Sequence, residues 1–375
     1  MLAHDRVPVW PPGVESGVWG AVNASSAGIF ALWSNGLSDE QANYGHVPVL
    51  LDEAMAALGV KEGGDRYIDA TFGAGGYTRA ILAVNKSTRI LALDRDPAAV
   101  RGGASLVVQA QGRLTLVQAR FGEVADIARE FGFDAVDGVV FDIGVSSMQL
   151  EAARGFSFRQ DGPLDMRMSP QGMTAADIVN SQSAEAIADI LRRFGEERFA
   201  ARIARAIVAA RHEAPIQTTK ELQRIVAGAV PVPREGIDPA TRSFQALRIA
   251  VNDELGELVR GLSGAASLLR PGGRLVVVTF HSLEDRIVKR FLQGRTMRTS
   301  AVSRHLPTVL PEARVFEAIG GPITATPAET AGNPRARSAK LRFGLRGGDP
   351  LTSDLSALLE LATLPASRQA RGRRQ

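Results

Sequence analysis

From residue 67 to residue 147, short apolar strands alternate with helical segments, and a chain with that rhythm has few folds open to it. YIDATFGAGG (67–76) runs from a strand into a glycine turn, YTRAILAV (77–84) reads as helix, and RILALDRD (89–96) as a second strand ending in carboxylates. RLTLVQARF (113–121) is a third strand, EVADIAREF (123–131) a helix, and VDGVVFDIGVSS (136–147) a fourth strand with another acid at its end. Strands apolar on both faces need helices on both sides. The alternation therefore predicts a parallel, doubly wound α/β sheet of the Rossmann-like kind.

The rhythm breaks after about Leu150. Residues 151–172 are rich in Gly, Pro, Asp and Met, as a long loop is, and residues 174–230 carry helical patterns only. Thr218 with Glu221 forms a capping box ahead of ELQRIVAGAV. A single long helix is expected over 241–269, then the turn LRPGG and the strand GRLVVVTF. The helix SLEDRIVKRFL (282–292) follows, with Ser282 as its N-cap, and SAKLRFGLR (338–346) reads as a last, edge strand. The expected division is an irregular extension (1–43), a first sheet half (44–150), an inserted all-helical substrate domain (151–239), a second sheet half (240–346) and a mobile basic tail (347–375).

Composition removes several classes of chemistry. There is no cysteine, hence no disulfide, thiolate metal site or cysteine nucleophile. No apolar run has membrane-spanning length, and no signal peptide is visible, so a cytoplasmic location without membrane attachment is expected. A net charge of +4 and a pI near 9.7 permit a phosphate-bearing partner without demanding one.

The turn at Gly73, Gly75 and Gly76 lies between a strand and a helix, where glycine lets backbone approach a ligand and the helix start offers free N–H groups. Asp94 ends the next strand, where an acid can accept hydrogen bonds from ribose hydroxyls. The run DATFGAGG lacks the third glycine of a dinucleotide site. Asp69 just before the turn would repel a diphosphate but can hold the amino group of S-adenosylmethionine. Asp142 ends the fourth strand, at the crevice of such a sheet.

In this order the residues resemble the bacterial 16S ribosomal RNA cytosine-N4 methyltransferases, the RsmH/MraW type. The resemblance runs from GHVPVLLDEA (45–54) through YIDATFGAGG, LALDRDP (91–97), FDIGVSSMQL (141–150) and RGFSFRQDGPLDMRM (154–168). It continues with GEERFAARIARAI (195–207) and TRSFQALRIAVNDEL (241–255), and closes with LRPGGRLVVVTFHSLEDRIVKRF (269–291) and NPRARSAKLR (333–342). It implies S-adenosylmethionine as cofactor and a cytidine in the decoding region of 16S ribosomal RNA, within the small subunit, as target. It also implies cofactor contacts at Gly75, Gly76, Tyr77, Asp94, Phe121, Asp142 and Gln149. Tyr77 stands where many relatives have histidine, and Met148 where many have proline.

A ring amine is a poor nucleophile, because its lone pair is delocalised, and needs an acceptor for its proton. Methylation at ring carbon 5 uses a cysteine in the usual mechanism, which favours nitrogen here. Asp142 is the first candidate acceptor; His281, Glu284 and Asp285 are rivals, with a helix cap as the plain explanation for Ser282 and Asp285. No metal-ligand set is read. For RNA, Arg198, Arg202 and Arg205 fall on one helical face opposite Phe199, Ile203 and Ala206, and the 154–168 loop mixes aromatics with arginines that suit stacking on an extruded base. A solvated basic face and simple packing of Phe156 and Phe158 explain the same residues. A homodimer stays open. So do a methyltransferase acting on DNA or a small molecule, and a silent RNA-binding relative.

Overall fold

The computed structural model describes residues 48–60, 66–144, 154–231, 238–294, 315–349 and 355–364. The extension 1–43, Met148 and Gln149 lie outside the described residues. A seven-stranded sheet runs in the order β3-β2-β1-β4-β5-β7-β6. Its strands are β1 (Arg66–Asp69), β2 (Arg89–Asp94), β3 (Leu114–Gln118), β4 (Val136–Asp142), β5 (Leu269–Thr279), β6 (Phe316–Thr324) and β7 (Lys340–Arg346). The pairs among β1 to β5 are parallel, while β7 pairs antiparallel with both β5 and β6. The strand order reverses between β1 and β4, so the crevice opens at the carboxyl ends of β1, β2 and β4, where Asp69, Asp94 and Asp142 stand.

Two apolar layers cover the sheet because successive strand residues point to opposite faces. Ile68, Leu91, Val139 and Leu275 belong to one layer; Tyr67, Ile90, Val140 and Val276 belong to the other. The first layer continues without a break into the helices after β4, through Ile187, Leu191, Ile203 and Leu222. Those helices are Ala175–Ser181, Ala184–Gly195, Ala200–Glu213 and Thr219–Ala229. Thr218 and Glu221 cap the last of them reciprocally, as the sequence predicts.

Four expectations need correction. The single helix over 241–269 is two, Thr241–Asn252 and Glu254–Leu268, broken at Asp253 in a left-handed conformation (φ 50°). The strand expected at the sheet edge, β7, is covered by β6, which the sequence does not announce. Ser282 is not the cap of helix Ser282–Leu292; His281 is, paired with Glu284 in a capping box. The tail expected to be mobile contains the helix Ser356–Ala362, with Ala362 in the core at 3% exposure. Helix Thr241–Asn252, expected with the second sheet half, also packs on the insert: Gln245 donates to the carbonyl of Phe194 (3.1 Å), and Phe244 meets Phe158 edge to face.

Candidate methyltransferase site

The turn after β1 is shaped by what surrounds it. Gly75 adopts φ 79°, where a side chain is strained, and helix Gly76–Val84 starts directly after it. At Gly76 a Cβ would lie 2.0 Å from Cγ of Pro48, so the preceding segment, and not only a ligand, demands glycine there. Gly76 and Tyr77 are the first two residues of the helix, so their N–H groups have no carbonyl one turn earlier to bond. The Tyr77 side chain is buried, and its hydroxyl donates to the carbonyl of Val49. What Tyr77 can offer a ligand is therefore its backbone.

The three strand-end acids have different duties. Asp69 is fully buried and accepts from the Thr78 hydroxyl (2.7 Å) and the Thr71 N–H (3.2 Å), and burial pushes its pKa up to about 6. Its oxygens brace the turn, so the sequence-based idea that Asp69 holds the cofactor's amino group is not what the geometry favours. Asp94 accepts from the N–H groups of Gly73 and Asp96, each at 2.8 Å, which clamps the turn to the end of β2. Burial raises its pKa to about 6 as well. A carboxylate with two N–H donors retains lone pairs for ribose hydroxyls.

Asp142 is the least satisfied of the three. Its N–H donates to the Thr71 hydroxyl (2.6 Å), but its Oδ1 is shut off from solvent with no hydrogen-bond partner among the described residues. Burial first, and then the charges of Asp69 and Glu284, push its pKa up to about 7. A buried carboxylate oxygen without a protein donor favours a ligand that brings a donor or a positive charge to it. Phe121 follows β3 in a short 3-10 turn, its ring edge-on to Phe141 at 5.8 Å, and so forms a partly exposed apolar wall.

Behind Asp142 lies an ion cluster that contains two of the rival acceptors read from the sequence, His281 and Glu284. Glu284 is fully buried; its Oε2 accepts from the N–H groups of Phe280 (2.8 Å) and His281 (3.2 Å), and its Oε1 is 2.9 Å from His281 Nε2. Burial works against its charge, but His281 chiefly, and Arg248, hold its pKa below the usual range. Glu254, His281 and Glu284 bring donor atoms within 4.8 Å of one another, close enough for a divalent ion. Both Glu254 oxygens are already taken by Arg248, at 2.8 and 2.7 Å, so the group is neutralised from within. Asp285 is spent differently, paired with Arg342 of β7 (2.6 Å) and with Lys340 (3.5 Å). Those bonds tie helix to sheet, so Asp285 drops out as a proton acceptor.

The loop 154–168 is fixed rather than free. Arg154 pairs with the buried Asp96 (2.9 Å), Arg167 forks onto Asp165 (2.7 and 2.9 Å), and Phe158 is packed on Phe244 at 4.8 Å. The buried Asn252 bridges the Met168 N–H (2.9 Å) and the Met166 carbonyl (2.8 Å). Arg159 is exposed; packing, the plain explanation, accounts for Phe158, and ion pairs within the protein account for Arg154 and Arg167. By contrast Arg198, Arg202 and Arg205 are all exposed, and none forms an ion pair among the described residues. Phe199, expected on the buried side of that helix, is 42% exposed, because it lies at the N-cap, before the first turn; Ile203 is buried as expected.

The profile of the MraW methylase family matches residues 43–345. A ribosomal RNA small subunit methyltransferase H from Methylorubrum populi is 58% identical over 334 residues, covering 88% of this chain and 95% of its own. One from Methylobacterium nodulans is 56% identical, covering 88% and 98%. Among solved structures, an rRNA methylase from Streptococcus thermophilus is similar at 10% identity and a TM-score of 0.36, over 80% of this chain and 98% of its own. With its family profile spanning sheet, insert and site alike, the chain belongs to the MraW methylase family.

Proposed function

We infer that the chain is an S-adenosylmethionine-dependent methyltransferase acting on the exocyclic N4 amine of a cytidine in the decoding region of 16S ribosomal RNA. Family membership and the name shared by its relatives support the reaction class and the substrate. One structural observation carries the assignment of the site: the buried, unpartnered Oδ1 of Asp142 beside the glycine turn.

The residues fit the cofactor. The N–H groups that open helix Gly76–Val84, Asp94 at the end of β2, Phe121 after β3 and Asp142 at the end of β4 all stand at the carboxyl edge of the sheet, which supports a cofactor laid across it. Bound there, S-adenosylmethionine supplies an electrophilic methyl group on a sulfonium, so most of the protein's work is to align the amine with it. Gln149, in the loop after β4, belongs to the same proposed contact set but lies outside the described residues.

As the N–C bond forms, the amine must lose a proton. We assign its acceptance to Asp142, whose pKa near 7 suits proton transfer at neutral pH. Glu284, held ionised chiefly by His281 and by Arg248, keeps a negative charge behind Asp142, which adds to the elevation that burial causes. The insert 151–239 is read as the RNA-recognition part, with exposed Arg198, Arg202 and Arg205 as phosphate contacts. The test is methyl incorporation into small ribosomal subunits lacking the modification. Purified chain should label the RNA at one cytidine nitrogen; label at ring carbon, or none with cofactor bound, would overturn the reading.

A further inference from the structure

Between the insert and the sheet half lies a cavity of about 390 Å³. Its floor is apolar: Leu283 and Ile287, from helix Ser282–Leu292, meet Leu361 of the helix near the chain's end. Three guanidiniums stand around it, those of Arg192, Arg193 and Arg286. Two carboxylates answer them. Asp189 pairs with Arg192 (2.6 Å), and Glu196 takes both Arg286 (2.8 Å) and the Ser282 hydroxyl (2.7 Å). Arg193 is left over. Its Nε is buried without a hydrogen-bond partner, and no carboxylate or carbonyl pairs with the side chain among the described residues.

We propose that this cavity is a subsite for a phosphodiester of the substrate strand, with Arg193 as the phosphate-gripping residue and the half-buried Leu361 as the apolar edge beside the adjoining nucleotide. The proposal rests on the RNA-methyltransferase reading and deepens it. A buried donor with no acceptor calls for an anion, and the planar fork of arginine matches phosphate oxygens. Arginines around a cavity with an apolar base suit the charged phosphate of a nucleic-acid strand more than a neutral ligand. Placement ties the cavity to the reaction. Helix Ser282–Leu292 turns Leu283, Arg286 and Ile287 to the cavity, while its cap His281 and its Glu284 belong to the cluster behind Asp142. One helix thus borders both the cavity and the cluster whose charge acts on Asp142.

Full-length wild type, Arg193→Ala and Arg193→Lys are compared in binding to a single-stranded 20-nucleotide RNA, in cofactor binding, and in methylation of small subunits. Arg193→Ala should weaken RNA binding about tenfold to a hundredfold. It should raise KM for the subunit more than it lowers kcat, flatten the slope of log K against log salt by about 0.7–0.9, and leave cofactor affinity unchanged. Arg193→Lys, keeping charge but not the fork, should recover part of the loss. Unaltered RNA affinity and salt slope in a variant that melts like wild type would overturn the subsite. Competition by polyglutamate as strong as that by RNA would overturn the ligand class in favour of an acidic protein. Wild type that binds RNA through Arg193 yet methylates no subunit would fault the proposed function and leave the subsite standing.

Discussion

The crevice at the strand ends and the loop 154–168 are neighbours, built from the same kinds of residue, and they treat their polar groups in opposite ways. In the loop, Arg154 and Arg167 have carboxylate partners inside the protein, and Asn252 of the neighbouring helix bonds its backbone, so these groups serve as bolts. At the crevice, Asp142 keeps a buried oxygen without a donor, and three carboxylates crowd together with raised pKa values. Folding alone does not reward that arrangement; a cationic, hydrogen-bonding ligand does. A charged residue in a motif is thus a poor guide to function until its partners are known.

The sharpest way to break the contrast is Asp142→Asn, which keeps shape and removes the proton acceptor. Methyl transfer should fall about 10²–10⁴-fold while the fold persists, read by single-turnover kinetics beside thermal melts. Next in size, Asp94→Ala should weaken cofactor binding by about 2–4 kcal/mol in calorimetry. An unchanged affinity in a folded variant would remove Asp94 from the ribose site. Gly76→Ala tests the turn as architecture, because the added Cβ meets Pro48. It should lower stability by about 1–3 kcal/mol even without cofactor, measured by denaturant unfolding.

The raised acids make a prediction about pH. Between its ordinary value of 3.8 and its folded value of about 7, Asp142 holds a proton in the native chain that the unfolded chain has released. Its contribution therefore declines as pH rises through that window, so the stability of wild type relative to Asp142→Asn should fall from pH 4 to 7 and level off above. Cofactor, being cationic, prefers the ionised acids. Its affinity should tighten from pH 6 to 8 with proton release, seen as a buffer-dependent heat. The smallest effect is expected at the exposed face: each Ala change at Arg198, Arg202 or Arg205 should flatten the salt slope for RNA by about 0.7–0.9 and spare cofactor binding. A triple variant with an unaltered slope would make those arginines a solvated face only.

Much of this was legible in the sequence for a physical reason. Wholly apolar strands such as RILALD and VVFD, ending in an acid at a crevice, advertise both the sheet and the site. The departures come where long-range contacts decide. The apolar period runs unbroken through VNDEL, and the helix breaks at Asp253 next to an Asn252 side chain drawn into bonds with Met166 and Met168. β6 contains GGP and is mostly exposed, so only its pairing with β7 reveals it. Arg193 is one of two adjacent arginines on a helix, and no local signal separates the paired Arg192 from the unpaired one.

In the proposed function, Asp142 serves methylation of a cytidine nitrogen in small-subunit RNA. The most direct test maps that RNA by mass spectrometry in cells lacking this gene and supplied with either wild type or Asp142→Asn. One methyl group on a cytidine N4 in the decoding region is expected, restored by wild type and absent with the variant although the variant accumulates as a folded protein. Full methylation with Asp142→Asn, or an RNA whose methyl groups do not depend on the gene at all, would contradict it.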